Sequence, residues 1–341
     1  MRSWDRLGLT AVAAALFTIS VDADAAPRAC GPHAIGLART IEVEAKGGPR
    51  FGQNQYPGRE LLADREVILT FDDGPHKLYT QPILDALDAH CTRATFFMVG
   101  QRALSYPDLA RDVVRRGHSV GTHSWSHRDL AKVDPETART EIELGISAVQ
   151  KVVGAHAAPF FRFPYLSDPS EMTAHLRARN TAIFSIDVDS YDFRTHSPTK
   201  VISNVMRQLD SKGRGILLFH DIQPSTAAAI GELLSELKIR GYRVAHVVPV
   251  QAQITVAAYD GRIAREHGGG RIALASVPLA HRGIVSPGWE ARVSENAISG
   301  RVQPSSGSGR PVAAPVPAPT RPAVARDTWE SNWFKSIIRG W

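Results

Sequence analysis

The chain has 341 residues, of which 43% are hydrophobic, and it carries a formal net charge of +6 at pH 7. The hydrophobic content is sufficient for a sizeable core. The positive charge suits an anionic partner such as a cell-wall polymer. Nucleic acid is not favoured as a partner, because no basic run in the chain is interleaved with aromatic residues.

The first 25 residues have the pattern of a secretory signal. Arg2 and Arg6 precede an apolar stretch at 7–19, and residues 23–25 have the A-x-A pattern of a cleavage site. The apolar stretch is shorter than the roughly 20 residues of a membrane span, and no later stretch is long and apolar enough. A buried N-terminal helix is the alternative. We therefore expect an exported protein, either periplasmic or secreted.

The chain has two cysteines, Cys30 and Cys91. In an oxidising compartment such a pair can form one disulfide, which would tie the N-terminal arm to the core. The alternative is two unrelated thiols, with Cys91 buried between a helix and a strand. A metal role is not favoured, because neither residue has a second cysteine close by. Export favours the disulfide.

From Glu66 onward, apolar strand-like stretches alternate with helix-like stretches. Strands are predicted at 66–71, 94–100, 119–122, 160–163, 181–188, 215–219 and 242–248, and helices at 82–89, 106–116, 135–153, 199–209 and 227–239. This alternation is typical of parallel β–α units and predicts an α/β barrel of about seven parallel strands. An open doubly wound sheet is the alternative, but the first β–α turn lacks the glycine-rich loop of its nucleotide-binding form.

The first predicted strand ends in two adjacent carboxylates, Asp72 and Asp73, and Gly74-Pro75 then turns the chain. Two acids at the end of a buried strand repel each other unless a cation or a proton lies between them. A metal ion is the usual solution, and the alternative is a turn in which both acids are solvated. The adjacent strand ends decide between these two interpretations.

Two histidines, His123 and His127, come directly after the third predicted strand. Histidines four residues apart can bind one metal ion, and with one carboxylate they form a hydrolytic site for zinc or a similar divalent ion. Chance spacing is the alternative, because the chain contains 13 histidines. Their position at the end of a strand favours the metal site.

Three further polar clusters lie at strand ends. Arg162 ends the fourth strand, the acids Asp187, Asp189 and Asp192 follow the fifth, and His220 follows the sixth. Arg162 would pair with a carboxylate or orient one, and one of the three acids is a candidate partner. Taken alone, His220 is more often a structural residue. Because the carboxyl ends of barrel strands form one face, the clusters together predict an active site.

In this order the motifs resemble those of the NodB-type polysaccharide deacetylases, over residues 62–250. The matching stretches are T-F-D-D-G-P at 70–75, H-S-W-S-H at 123–127, R-F-P-Y at 162–165, D-S-Y-D-F at 189–193 and L-F-H at 218–220. The resemblance implies a distorted (β/α) barrel with fewer strands than the eight of a full barrel. It also implies metal-dependent removal of N- or O-acetyl groups from a carbohydrate.

The resemblance assigns the metal ligands and the general base. Asp73, His123 and His127 would bind one divalent metal ion, and this ligand set suits zinc. The ion would polarise the amide carbonyl and hold the attacking water. Asp72 would be the general base, oriented by Arg162. Two adjacent acids are useful because they have different roles.

The resemblance also assigns the groups that act on the leaving group and the acetyl group. His220 would be the general acid that protonates the amine, and Leu218 would line the acetyl pocket. The backbone N–H of Tyr165 would help to bind the oxyanion. An acid of the fourth motif would support the site. Asp189 fits this role by spacing, and Asp192 is the alternative.

Two positions depart from the family's pattern. The third motif usually continues with glycine after the tyrosine, where this chain has Leu166, and the fourth usually ends in tryptophan, where it has Phe193. Neither change removes a catalytic group. We expect both to alter the shape of the substrate groove.

The predicted organisation has four parts. Residues 1–25 are the signal peptide, 26–61 an N-terminal arm and 62–250 the deacetylase domain. Residues 251–341 are expected to be a linker and low-complexity tail, because 303–325 is rich in Pro, Ser, Gly and Ala. Near the C-terminus, a spacing of four residues predicts a short helix with an aromatic face, formed by Trp329, Trp333 and Ile337.

The leading prediction is an exported, metal-dependent deacetylase of an acetylated carbohydrate. Peptidoglycan, a chitin-like oligosaccharide and an exopolysaccharide all remain as candidate substrates. The alternatives are a hydrolase of another non-peptide C–N bond on the same fold and a non-catalytic carbohydrate-binding protein. The presence of Asp72 argues against the second alternative. Neither a nucleic-acid partner nor a transmembrane segment in the mature chain is expected.

Overall fold

The computed structural model describes residues 30–267, in which strands and helices alternate. The strands are β1 Arg39–Val43, β2 Arg50–Phe51, β3 Glu66–Asp72, β4 Thr95–Met98, β5 Ser119–Thr122, β6 Ala157–Phe161, β7 Ala182–Phe184, β8 Val188–Asp189, β9 Gly215–His220 and β10 Arg243–Pro249. The helices are α1 Thr80–Ala89, α2 Gly100–Ser105, α3 Pro107–Arg115, α4 Pro135–Val153, α5 Ser170–Ala178, α6 Pro198–Lys212, α7 Pro224–Ile239 and α8 Ala257–His267.

The strands form a distorted parallel barrel. Neighbouring strands pair in the order β8, β9, β3, β4, β5, β6, β7. β7 and β8, at the two ends of this order, are successive segments of the chain, so the sheet curves back on itself. The single strand predicted at 181–188 is therefore split, and its two halves pair with different neighbours. The predicted α/β class with parallel strands and flanking helices is confirmed.

β3 lies inside this sheet, between β9 and β4, and all seven of its residues are buried. Successive side chains point to opposite faces of a strand. Val67, Leu69 and Phe71 pack with helix residues on the outside of the barrel, whereas Ile68 packs with Phe97 and other side chains inside it. Burial on both faces explains why this strand has a nearly continuous apolar sequence.

The N-terminal arm belongs to the folded domain. β1 pairs with β10, and β2 pairs with β7, although neither strand was predicted. Cys30 and Cys91 form a disulfide, which confirms the bridge that the sequence favoured. The Nζ of Lys238 on α7 also donates to the carbonyl oxygens of Pro32 and Ala34. The arm is therefore fixed to the barrel at both of its ends.

The folded region also extends past residue 250, where a linker was predicted. Gln253 is buried, and its N–H donates to the Ala157 carbonyl at 2.8 Å. α8 then packs on α4, with Ile263 against Leu144 and Ala148. Ile263 is the one buried residue of α8, which is too weak a pattern to predict a helix. The folded region thus includes α8, which lies past the predicted boundary at residue 250.

Two features predicted near the chain ends, the signal peptide and the aromatic C-terminal helix, lie outside the described residues. Between residues 30 and 267, no helix has both the length and the apolar character that crossing a bilayer requires.

We expect Ile263→Ala to lower the free energy of unfolding by about 2–5 kcal/mol, because it opens a cavity between α8 and α4. Ile254→Ala is the matched control. That side chain is 72% exposed, so its loss should change stability by less than about 0.5 kcal/mol. Denaturant unfolding of the full chain measures both values. Equal stability of the two variants would place α8 outside the core.

Candidate active site

Several of the residues predicted for the site come together at the carboxyl ends of the barrel strands. Asp72 and Asp73 lie at the end of β3, His123 follows β5, Arg162 follows β6 and His220 ends β9. The side chains of the first four are nearly inaccessible to solvent. In a parallel barrel this is the face on which active sites are built.

Asp73, His123 and His127 form a cluster of potential metal ligands. One ligand atom from each lies within 4.8 Å of the others. The Oδ1 of Asp73 is 3.1 Å from the Nε2 of His127 and 3.5 Å from the Nε2 of His123. One carboxylate and two imidazole nitrogens that converge in this way fit a divalent cation such as zinc.

The protonation states of this cluster also fit a cation. The Nδ1 of His123 donates to the carbonyl oxygen of Arg162 at 2.8 Å, so Nε2 is left to face Asp73. Burial lowers the pKa of His123 to about 4, and a neutral imidazole is the form that binds metal. Burial opposes ionisation of Asp73, but His127 and the other nearby histidines outweigh it and hold the pKa of this carboxyl well below its usual range.

Two helices fix the loop that carries both histidines. The N–H groups of Gly100 and Gln101, at the start of α2, donate to the carbonyl oxygens of Ser124 and Trp125 at 3.0 and 3.1 Å. On α4, Gly145 allows close approach of the loop, because a Cβ there would lie 2.5 Å from the carbonyl carbon of Ser124. The loop therefore holds its two histidines in a defined position before any ligand binds.

Arg162 orients Asp72. Its guanidinium is fully buried, and Nη1 donates to Asp72 Oδ1 at 2.8 Å and to Thr70 Oγ1 at 2.7 Å. Nε and Nη2 donate to the carbonyl oxygens of residues 184–185. The carboxylate that accepts a hydrogen bond from Arg162 is thus that of Asp72, rather than one of the acids after the fifth predicted strand. The other oxygen of Asp72 lies 3.8 Å from His123 Nε2 and faces the ligand cluster.

His220 is paired with Asp192. The Nδ1 of His220 lies 2.7 Å from Asp192 Oδ1, and its backbone N–H donates to Asp192 Oδ2, also at 2.7 Å. Burial opposes protonation of His220, but the charge of Asp192 outweighs it and raises the pKa of His220 to about 10. The imidazole therefore holds a proton at neutral pH, as a general acid must.

The spacing of the fourth motif favoured Asp189 for the supporting role, with Asp192 as the alternative, but the acid that contacts His220 in the structure is Asp192. Asp189 ends β8, and its carboxylate accepts the N–H of Tyr191 at 2.8 Å. Tyr191 has a left-handed backbone, with φ of 51°, and a turn follows at Asp192–Arg194. This turn places the buried carboxylate of Asp192 against His220, which spacing alone does not show.

Three apolar or aromatic residues lie beside these groups. Leu218 is two residues before His220 on β9, on the same side of the strand, and is 6% exposed. The ring of Tyr165 packs edge-on against the ring of His127, with 4.7 Å between the ring centroids. The ring of Phe193 packs edge-on against the ring of His220, with 5.6 Å between the centroids. Phe193, at the usual tryptophan position, thus keeps an aromatic contact with the predicted acid.

The sequence analysis missed a buried acid next to the site, Asp221. Its carboxylate accepts the hydroxyl of Thr80 at 2.6 Å, and burial raises its pKa to about 7. A Cβ on Gly74 would lie 2.0 Å from Asp221 Oδ2. The glycine after the acid pair is therefore required by packing. In the sequence, the indication that Asp221 lies near the site is its position directly after His220.

A parallel barrel with this ligand cluster, an oriented carboxylate and a protonated histidine defines a candidate hydrolase. The sequence profile of the polysaccharide deacetylase family matches residues 61–182. A peptidoglycan-N-acetylglucosamine deacetylase of Bacillus cereus is 31% identical over 219 residues, which are 61% of this chain and 78% of the relative. The chain belongs to the polysaccharide deacetylase family, as the motifs predicted.

Two further comparisons extend this result. The peptidoglycan-N-acetylmuramic acid deacetylase PdaC of Bacillus subtilis is 33% identical over 181 residues, which are 53% of this chain but only 38% of that relative. The structure of a peptidoglycan deacetylase from Bdellovibrio bacteriovorus matches with a TM-score of 0.57 and 35% identity, over 62% of this chain and 59% of the other. The common region is thus one part of each of these two proteins.

Proposed function

We propose that this protein is an exported, metal-dependent deacetylase that hydrolyses N-acetyl groups of a cell-envelope polysaccharide, with peptidoglycan as the favoured substrate. The observation that carries the proposal is the position of Asp73, His123 and His127 at the same barrel face as Asp72 and His220. The relatives described above supply the substrate class, since all three are peptidoglycan deacetylases.

In this proposal each group has one role in amide hydrolysis. A divalent ion bound by the ligand cluster would supply Lewis-acid chemistry at the acetyl carbonyl. Asp72, held by Arg162, would accept the proton of the attacking water. The backbone N–H of Tyr165 would donate to the developing oxyanion. His220 would deliver its proton to the amine as the C–N bond breaks, which leaves acetate and a free amino group on the sugar.

Three features support export and the envelope as the site of action. Residues 1–25 have the signal pattern. The disulfide between Cys30 and Cys91 is typical of oxidising compartments. The net positive charge favours association with anionic wall polymers. We place the catalytic domain so that it includes the N-terminal arm and α8, because both pack on the barrel.

Acetate release tests the proposal. The metal-loaded protein should release acetate from N-acetylated peptidoglycan, and chitooligosaccharide, an O-acetylated exopolysaccharide and a non-carbohydrate acetamide complete the panel. Release only from the acetamide would favour the alternative C–N hydrolase. No release from any substrate by protein with bound metal would favour the non-catalytic carbohydrate-binding alternative and contradict the proposal.

The metal site gives a separate prediction. Purified protein should carry about one divalent ion, with zinc favoured by the ligand set. His127→Ala removes one of the three ligands and should weaken binding by more than roughly 10- to 100-fold, measured by chelator competition and elemental analysis. His33→Ala, at an exposed histidine away from the cluster, is the control. Full metal loading of His127→Ala, or full activity after exhaustive chelation, would reject the site.

A further inference from the structure

A turn of the N-terminal arm, at residues 53–58, reaches the catalytic face of the barrel. β2 pairs with β7, so the Ser185 N–H donates to the Phe51 carbonyl at 2.7 Å, and the Asn54 N–H donates to the Ile186 carbonyl at 3.1 Å. This pairing brings Gln55 next to the loop after β6. The turn lies before residues 61–182, the part that matches the family profile.

The side-chain amide of Gln55 makes three hydrogen bonds. Its Nε2 donates to the Leu166 carbonyl at 2.7 Å and to Asp168 Oδ1 at 2.9 Å. Its Oε1 accepts the hydroxyl of Ser185 at 2.6 Å. A carbonyl and a carboxylate oxygen can only accept, so the amide nitrogen must face them. The orientation of Gln55 is therefore fixed by its neighbours.

The loop that Gln55 contacts has an unfavourable backbone conformation. Tyr165 and Leu166 both have a left-handed backbone, with φ of 59° and 54°, and residues other than glycine adopt it at an energetic cost. Contacts from outside the loop must offset this cost. Gln55 holds the carbonyl of Leu166, and the hydroxyl of the adjacent Tyr56 donates to Asp168 Oδ2 at 2.6 Å.

Gln55 is also connected to the residue that orients the proposed base. The carbonyl of Ser185 accepts from Arg162 Nη2 at 3.0 Å, and Arg162 Nη1 donates to Asp72 Oδ1 at 2.8 Å. The side chain of Gln55 thus connects Ser185, and through it Arg162 and Asp72, to the loop that carries the Tyr165 N–H. The distance between the Asp72 carboxylate and the Tyr165 N–H matters when water attacks the acetyl carbonyl.

We propose that Gln55 is a positioning residue for deacetylation, which keeps the Tyr165 N–H and the Asp72 carboxylate at a fixed separation. This inference rests on the proposed function, because the two groups have a common role only in that reaction. Misplacement of either group weakens interactions made in the transition state more than those made with bound substrate. The expected signature is a loss of kcat with little change in KM.

The isosteric variant Gln55→Glu tests this role. It replaces the donor Nε2 by a carboxylate oxygen that faces two acceptors, Leu166 O and Asp168 Oδ1. The kcat for acetate release should fall roughly 10- to 100-fold with KM nearly unchanged. Gln53→Glu is the matched control, since it makes the same change at an exposed position in the same turn. Its kcat should equal that of the wild type.

The double variant Gln55→Glu with Asp168→Asn separates positioning from a general loss of stability. The new amide at position 168 can donate to the new carboxylate at position 55, while its oxygen still accepts the hydroxyl of Tyr56. We expect kcat of the double variant to be at least about threefold higher than that of Gln55→Glu, so that part of the kcat lost through misplacement is recovered. Metal content and the midpoint of thermal unfolding are measured for every variant.

The outcomes distinguish this inference from the proposed function. A wild-type protein that releases no acetate contradicts both. If the wild type is active, two results overturn the positioning role alone. One is an unchanged kcat in Gln55→Glu, and the other is a loss of kcat that the double variant does not reverse. If Gln55→Glu does not fold, Gln55→Met removes the same hydrogen bonds without adding charge, and its kcat is judged against the same expectation.

Discussion

Asp72→Asn should lower kcat for acetate release by roughly 10²- to 10⁴-fold, which is the typical contribution of a positioned general base. The substitution keeps the size of the side chain, and its oxygen can still accept the hydrogen bond that Arg162 makes to Asp72 Oδ1 at 2.8 Å. It removes the basic oxygen that faces the ligand cluster, 3.8 Å from His123 Nε2. Turnover and metal content are measured on the same preparation.

The adjacent acid provides the control for this experiment. Asp73→Asn leaves Asp72 in place but removes the carboxylate of the ligand cluster, so this variant should lose metal where Asp72→Asn retains it. The reverse pattern would exchange the roles of the two acids. Near-normal turnover by Asp72→Asn with metal bound would reject Asp72 as the base.

The sequence predicted those parts of the fold and site that depend on strong local patterns. β3 is buried on both faces, so its apolar run identified the strand and placed Asp72 and Asp73 at its end. Parallel topology then brought His123 and His220 to the same face, because the carboxyl ends of barrel strands lie together. No side-chain contact had to be known for these predictions.

Elements that owe their stability to long-range contacts were not predicted. β2 has two residues, of which only Phe51 is buried, and it exists because it pairs with β7. α8 contributes one buried side chain, Ile263, to its contact with α4. Neither segment has a periodic pattern of hydrophobic residues or a local propensity strong enough to predict the element. Tertiary pairing supplies what the local sequence lacks.

The choice between Asp189 and Asp192 failed for a related reason. Both acids follow the same predicted strand, at 181–188, and their distance from His220 in sequence is similar. The left-handed residue Tyr191 and the turn after it decide which carboxylate meets the histidine. A non-glycine residue in this conformation gives almost no signal in a single sequence.

Asp192→Asn should lower kcat by roughly 100-fold and move the alkaline limb of the pH profile to lower pH. The charge of Asp192 raises the pKa of His220 against the opposing effect of burial. If protonated His220 is the acid, kcat falls as pH rises through that pKa. Removing the charge lowers the pKa, so the fall begins at lower pH. The acidic limb of the profile should not move, because Asp72 keeps its hydrogen bond to Arg162 in this variant.

An amide cannot replace the Asp192 carboxylate in its hydrogen bonds. The carboxylate accepts from the Nδ1–H of His220, from the backbone N–H of His220 and from the hydroxyl of Thr226. An asparagine in either orientation directs an NH₂ group at one or more of these donors. Some loss of stability is therefore expected, and thermal unfolding of the variant measures it apart from the pH profile.

Asp189→Asn is the matched control for the Asp192 variant. It neutralises an acid three residues earlier, whose carboxylate accepts the N–H of Tyr191 instead of contacting His220. We expect turnover close to that of the wild type and a much smaller shift of the alkaline limb. An unmoved limb in Asp192→Asn would mean that His220 is not the proton donor whose titration limits turnover. Equal shifts in the two variants would mean that the summed charge of the loop, rather than the hydrogen-bonded pair, keeps His220 protonated.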